Sequence, residues 1–281
     1  MTDSESRRSR IRDRLAEVMQ QPEERISLGE AALLIAASEY PDLDATQYIR
    51  RLDAMADTVG KRIGGEADPF LMIERINQFL FQEEGFSGNT HDYYDPRNSF
   101  LNEVLDRKTG IPITLSTLYL EMAGRLNIPL VGVGMPGHFL VKHPYFDILI
   151  DPFDQGRILS EDDCRARMQQ VLGDSVPFDK SFLDAADKRQ IVTRMLNNLR
   201  GIYLNSRQYR KALDMSELVL AFHPDSPEER KQRAALLLHL RRYSDAVADL
   251  NFYLEHNPGA DDVEQVRQTV ANLRNTLAQM N

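Results

Sequence analysis

The chain has 281 residues, 42% of them hydrophobic and 27% charged, with a formal net charge of −9. That length suits two domains better than one, the acidic balance argues against broad binding to nucleic acid, and no apolar run approaches the roughly 18 residues of a membrane span. The single cysteine, Cys164, excludes an internal disulfide and a zinc site of the Cys-rich kind.

In chain order, the first stretch is basic. Arg7, Arg8, Arg10, Arg12 and Arg14 crowd together, which reads as a solvated helix start in preference to a basic arm that touches RNA or anionic lipid. The N-terminal run MTDSESRRSRIRDRL has no apolar core, so a signal peptide is not expected, and cytoplasm is the expected location. Ile11, Leu15 and Met19 repeat at four-residue spacing and predict a helix over 9–21. Ser27 and Glu30 form a capping box for a mostly apolar helix that stops at Tyr40-Pro41. Asp44 caps the next, with Tyr48, Leu52, Met55, Val59 and Ile63 as its stripe and Gly64-Gly65 as its stop. Asp68-Pro69 opens a fourth, expected to run through Phe81.

A polar loop rich in Asn, Asp and Tyr follows over 85–97. It reads equally as a connector or as a groove wall, with Tyr93 and Tyr94 as contact surface. Asn98 or Ser99 is expected to cap a short helix ending before Gly110, and Asn98 joins the candidate binding residues. Pro112 fits the first position of the next helix, with Ile113, Leu118, Tyr119, Met122 and Leu126 facing a core. Short strands are predicted at 130–134, 139–141, 146–150 and 157–159, an antiparallel meander after helices, hence α+β. If the turn between the second and third strands centres on Pro144-Tyr145, His138 lies directly opposite Asp151 on one face. Pro144 disfavours a two-residue type I′ loop, so a four-residue loop is preferred.

Ser160 and Asp163 resemble a capping box for a helix carrying Cys164, which the neighbouring acids mark as an inert packing residue. Residues 177–186 read as a polar linker. Beyond it Tyr209, Ala212 and Pro224 recur as Tyr243, Ala246 and Pro258, each displaced by 34 positions. That period, with paired helices, is the period of tetratricopeptide repeats. Arg194, Asn197, Asn205, Lys231 and His239 occupy first-helix positions that line a concave face in such repeats, a candidate site for a carboxylate or acidic peptide.

The motifs NTHDYYDPRNSFLNEVLDRKTGIPITLSTLYLEMAGRLNIPL, GVGMPGHFLV and LIDPFDQGRILS together resemble the SirB family, which joins a transglutaminase-like domain to C-terminal tetratricopeptide repeats. Related sequence in a eukaryotic F-box protein implies adaptor use without transferring ubiquitin chemistry. The resemblance implies a helical region over 1–90, a transglutaminase-like (papain-like) antiparallel core over 91–176, the linker over 177–186 and an all-α repeat module over 187–281. The superfamily carries a Cys-His-Asp triad. On this sequence His138 takes the histidine position and Asp151, before Pro152, the aspartate position. The cysteine position falls at or beside Pro112, which has no nucleophile.

Two functions follow. The favoured one is a non-enzymatic binding or adaptor protein with a protein or peptide partner, no nucleic acid or membrane partner, and neither metal nor cofactor. The alternative is a hydrolase or acyltransferase in which Ser116 or Thr114 attacks, with His138 as base and Asp151 orienting it.

Overall fold

The computed structural model describes residues 3–65, 68–173 and 176–280. Its contacts divide the chain into two compact units, one of Gln21–Met195 and one of Met1–Gln20 with Leu196–Asn281.

In the second of these units the N-terminal helix α1 (Asp3–Met19) packs on α9 (Tyr209–Phe222). Ile11, Leu15, Val18 and Met19 are its buried stripe. Two of its arginines are not solvated as expected: Arg8 pairs with Asp214 at 3.1 Å and Arg12 with Glu217 at 2.8 Å.

The larger unit opens with three helices whose starts were legible. In α2 (Leu28–Glu39) the Ser27 hydroxyl accepts from the Glu30 N–H. In α3 (Ala45–Ile63) Asp44 accepts from Thr46 and Gln47, and Gly64 closes the helix at φ +59. In α4 (Pro69–Asn77) Asp68 accepts from Phe70. Here the expected helix departs from its period. From Gln78 to Glu83 the chain widens into a π-helical turn, which buries Phe79, Leu80 and Phe81 in succession. A regular helix would turn one of three consecutive side chains outward.

Strand β1 (Ser87–Gly88) pairs in parallel with β2 (Thr109–Gly110), and between them lies α5 (Leu101–Arg107). Neither Asn98 nor Ser99 caps α5. Its N-cap is Phe100, without a side-chain bond, because Pro96–Ser99 already form a 3-10 turn capped by Asp95. The central helix α6 (Pro112–Arg125) starts at the expected proline and is buried along most of its length. It packs on α2, α3, α5 and the main sheet.

That sheet holds β3 (Val131–Val133), β4 (Leu140–Lys142), β5 (Leu149–Asp151), β6 (Arg157–Leu159) and β7 (Ala185–Ala186), in the order β6-β5-β4-β3-β7, with antiparallel pairing throughout. Helix α7 (Glu161–Leu172) begins with the Ser160–Asp163 capping box, both bonds present. Residues 177–186, read as a linker, hold a 3-10 turn at Lys180–Leu183 and the edge strand β7, where Ala185 pairs with Val133.

The expected register of the hairpin is corrected. Val141 pairs with Ile150 and Lys142 with Leu149, and the His143 N–H donates to the Ile148 carbonyl at 3.0 Å. The loop is Pro144 to Asp147, so its centre falls one residue later than Pro144-Tyr145. His138 therefore lies diagonal to Asp151 rather than opposite. The slip is even in pairing register, so both side chains stay on one face.

Helix α8 (Lys188–Asn205) leads into α9, α10 (Pro227–His239), α11 (Tyr243–His256) and α12 (Val263–Met280). The 34-residue repeat is visible in the backbone. Arg207 and Arg241 take left-handed φ of +58 and +57 just before Tyr209 and Tyr243 open equivalent helices. Ala212 and Ala246 are both fully buried at the repeated contact.

Candidate functional site

Helix α6 begins at the segment that the sequence resemblance aligns with the superfamily's cysteine. Ile111 is extended, no side chain caps the helix, and the first helical residue is the buried ring of Pro112. The preceding segment is tied down by the loop before α5. The Ile111 N–H donates to the Asn98 carbonyl at 3.3 Å, and the Asn89 N–H to the Gly110 carbonyl at 3.0 Å.

His138 precedes β4 in a tight turn, its N–H donating to the Met135 carbonyl at 3.1 Å. Gly137, at φ +73, makes that turn, and a Cβ there would meet Val171 at 2.7 Å. Asp151 ends β5 and caps the 3-10 turn Pro152–Asp154, its Oδ1 accepting from the N–H groups of Phe153 at 3.0 Å and Asp154 at 3.3 Å. The two meet: His138 Nε2 lies 3.0 Å from each oxygen of Asp151. His138 is 7% exposed and Asp151 0%. An ionised carboxylate only accepts, so Nε2 carries the proton and Nδ1 is the bare nitrogen of the neutral ring. The serine-type triad holds the ring the other way round, with its aspartate on Nδ1 and Nε2 as the base.

A third residue, which the sequence reading missed, completes the cluster. Arg167 on α7 bonds to Asp151 Oδ2, stands 3.3 Å from Asp154 Oδ2, and places Nη1 3.1 Å from His138 Nε2. Arg167 and His138 are thus two donors aimed at one carboxylate. The negative charge that would support an imidazolium is already shared with a guanidinium. The sequence held one faint sign of this: Arg167 lies three residues past buried Cys164 and beside buried Met168, on the edge of the face α7 turns inward.

Phe153 packs edge-on against His138, with centroids 5.9 Å apart. The absence of a side chain at Gly88 admits its ring, since a Cβ there would lie 2.6 Å from it. Tyr93 packs on Phe153 at 6.2 Å and Tyr94 on Tyr93 at 5.3 Å. Tyr94 is 71% exposed and Tyr93 37%, so an aromatic ladder runs from the surface to the histidine. Burial pushes the Tyr93 phenol up. Asn98 is not surface but framework: fully buried, it donates to the Asp92 carbonyl at 2.7 Å and accepts from Asn89 at 3.2 Å.

The candidate hydroxyls are inward. Ser116 and Thr114 are both 0% exposed. Ser116 Oγ donates to the Phe139 carbonyl at 3.4 Å, while Thr114 Oγ1 has no partner among the described residues. No hydroxyl among the described residues is bonded to His138. Cavities of about 450, 640 and 480 Å³ open on this unit, and neither His138 nor Asp151 lines them. Cys164 is fully buried, and burial, then the Asp163 and Asp151 carboxylates, push its thiol up to about 11. Among the described residues no group of three or more His, Cys, Asp or Glu is placed to hold a metal ion.

The five residues proposed for the repeat face do not form a set. Arg194 belongs to the larger unit, where its Nη2 donates to the carbonyls of Met135 and His138 at 2.8 Å each. Asn197 accepts from Arg200 at 2.7 Å, beside a buried Arg200–Glu229 pair. Lys231 is held by Tyr253 at 3.1 Å, Asp262 at 3.0 Å and Glu228 at 3.1 Å. His239 stacks on Tyr209 at 4.2 Å. Asn205 stays exposed at the end of α8. Fixed internal partners leave Asn197, Lys231 and His239 little freedom to meet a ligand.

Comparison with known proteins agrees with this architecture. A profile of the transglutaminase-like superfamily matches residues 46–197, and one of the tetratricopeptide repeat matches residues 199–271. A UPF0162 protein of Xylella fastidiosa (strain 9a5c) is 38% identical over 92% of this chain and 93% of its own length. Protein SirB1 of Salmonella typhimurium is 26% identical over 87% of this chain and 91% of its own. F-box only protein 21 of Homo sapiens is 28% identical over 83% of this chain, which spans 42% of that longer protein. No solved structure matches. With a helix-first antiparallel core, a histidine–aspartate pair at the expected strand ends and a 34-residue helical repeat, the chain belongs to the transglutaminase-like superfamily and, within it, to the SirB family that adds tetratricopeptide repeats.

Proposed function

We propose that this protein is a non-enzymatic binding or adaptor protein, built on a transglutaminase-like fold that has lost its nucleophile. The observations that carry the reading are the buried ring of Pro112 as the first residue of α6 and a histidine–aspartate pair that Arg167 has joined. Acyl transfer needs an activated nucleophile within reach of the base. Ser116 is turned to the Phe139 carbonyl instead, and Cys164 is sealed at low thiolate content. The partner is a protein or peptide, the kind of ligand that tetratricopeptide arrays display surfaces for. The expected compartment is the cytoplasm.

The test is chemical. The full-length protein is treated with a serine-reactive fluorophosphonate and, separately, with iodoacetamide, and the adducts are mapped by mass spectrometry. The expected outcome is no modification of Ser116, Thr114 or Cys164 in the native state. A fluorophosphonate adduct on Ser116 or Thr114 that His138→Ala abolishes would overturn the reading and establish a hydrolase or acyltransferase with an exchanged nucleophile.

A further inference from the structure

Arg194 carries its charge without a carboxylate partner among the described residues. It is part-buried on α8, with its guanidinium carbon 5.5 Å from the centre of the Phe139 ring. Burial pulls it below the usual arginine range, with Tyr93 opposing. A guanidinium offers five N–H donors in a planar fork. The carbonyls of Met135 and His138 engage only Nη2. Nε and Nη1 have no protein acceptor among the described residues. A Cβ at Gly134 would stand 3.2 Å from Nη1, so any side chain there would crowd the fork.

Arg194 lines a cavity of about 480 Å³, within the size range of small-molecule sites. Phe139, Phe182 and Pro136 supply apolar wall, and Ser181 and Asp184 line it toward solvent. Arg194 is the cation of this lining, and Asp184 adds a negative charge. A dianion such as a phosphate monoester would meet one positive and one negative group. A single carboxylate matches the fork and leaves its apolar body against the two phenylalanines.

We propose that this cavity binds a carboxylate joined to an apolar body, a free small acid or the C-terminal residue of a peptide, anchored by Nε and Nη1 of Arg194 and walled by Phe139 and Phe182. Neither His138 nor Asp151 lines this cavity, although Arg194 bonds to the His138 carbonyl, and the proposal stands whether or not that pair is catalytically silent.

The test is calorimetric titration of the full-length protein with N-acetyl-phenylalanine, its amide, acetyl-Ala-Ala-Phe and its amide. Saturable binding of an acid is expected, with the matching amide about tenfold or more weaker, as suits a lost charge-assisted bond. Tighter binding of the longer acid assigns the source to a peptide terminus, and equal binding assigns it to a free acid. Arg194→Gln is expected to erase the preference for acid over amide. That variant also loses the bonds to Met135 and His138, so Ser181→Trp, at an exposed wall position, fills the cavity independently. It is expected to abolish binding while the thermal unfolding midpoint stays unchanged. Absence of saturable acid binding, equal affinity for acid and amide, or wild-type binding by Ser181→Trp would each overturn the proposal.

Discussion

Asp151 and Arg167 lie 16 residues apart and meet in a part-buried ion pair that also holds His138. The Asp151 carboxylate accepts from four groups: the ring of His138, the guanidinium of Arg167 and the N–H groups of Phe153 and Asp154. In this arrangement the aspartate is the hub, and the histidine is one of its spokes.

The hub makes unequal demands on the three side chains. Asp151→Ala strands every donor at once and is expected to destabilise the protein by about 3 kcal/mol. His138→Ala leaves the carboxylate three donors and removes one hydrogen bond with its ring packing, so about 2 kcal/mol is expected. Urea unfolding of the two variants reads the order. A larger loss for His138→Ala would place the weight on the imidazole instead.

Cys164 is expected to be inert. With its thiol pushed up to about 11, roughly one part in a thousand is thiolate at pH 8. Ellman's reagent at pH 8 should leave the native thiol unreacted for hours and titrate it fully in 6 M guanidinium. Rapid labelling of the folded protein would contradict the burial described for this residue.

Gly156 and Gly64 separate two effects of adding a methyl group. Both have positive φ, +75 and +59. At Gly64 a Cβ meets nothing within 4 Å, so Gly64→Ala is expected to cost about 1 kcal/mol of backbone strain alone. At Gly156 it would lie 2.1 Å from Asn77 Oδ1. Asn77 cannot retreat freely, because it donates to the Gly156 carbonyl at 3.0 Å and accepts from Tyr119 at 2.9 Å. Gly156→Ala should therefore cost more than about 2 kcal/mol. Thermal unfolding of the pair gives the comparison.

Asp214 sets a pH dependence in the unit that holds α1. Burial raises its carboxyl to about 6, with Arg8 opposing the shift. A raised acid binds its proton more tightly folded than unfolded, so the native state holds more protons between about pH 4 and 6. The stability from this group is present below the unfolded value and is lost as pH rises through the folded one. Asp214→Asn removes the titration. Relative to wild type, the variant should gain on the order of 2 kcal/mol between pH 4 and pH 7. Urea unfolding of both proteins across that range checks the sign. A constant difference would show that Asp214 does not titrate this way.

Much of the fold was readable because its signals are local. Ser27, Asp44, Asp68 and Ser160 bond to backbone N–H groups two or three residues on, so each helix start is written within a few positions. The repeat was readable for the same reason: helices α9 and α11 start at tyrosines 34 positions apart. The His138–Asp151 contact was anticipated, but its register was not, because the closing bond from His143 to Ile148 sets the loop and no residue type announces it. Arg167 and Arg194 were out of reach for another reason. Their partners lie 13 to 59 residues away, and a charged residue on a helix reads as solvated until the opposing surface is known. Asn98 misled in the same direction, since a polar residue in a polar loop gave no sign of being the loop's internal brace.

The five-stranded sheet ends in very short strands on both sides, two residues in β7 and three in β6. A sheet edge exposes a row of unsatisfied amides that invites another chain to pair with it. Two alanines on one side, and a strand opened by exposed Arg157 on the other, offer too little length for a foreign strand to find a register. The chain thereby guards its sheet against self-assembly into fibres through brevity, with no covering helix required at either margin.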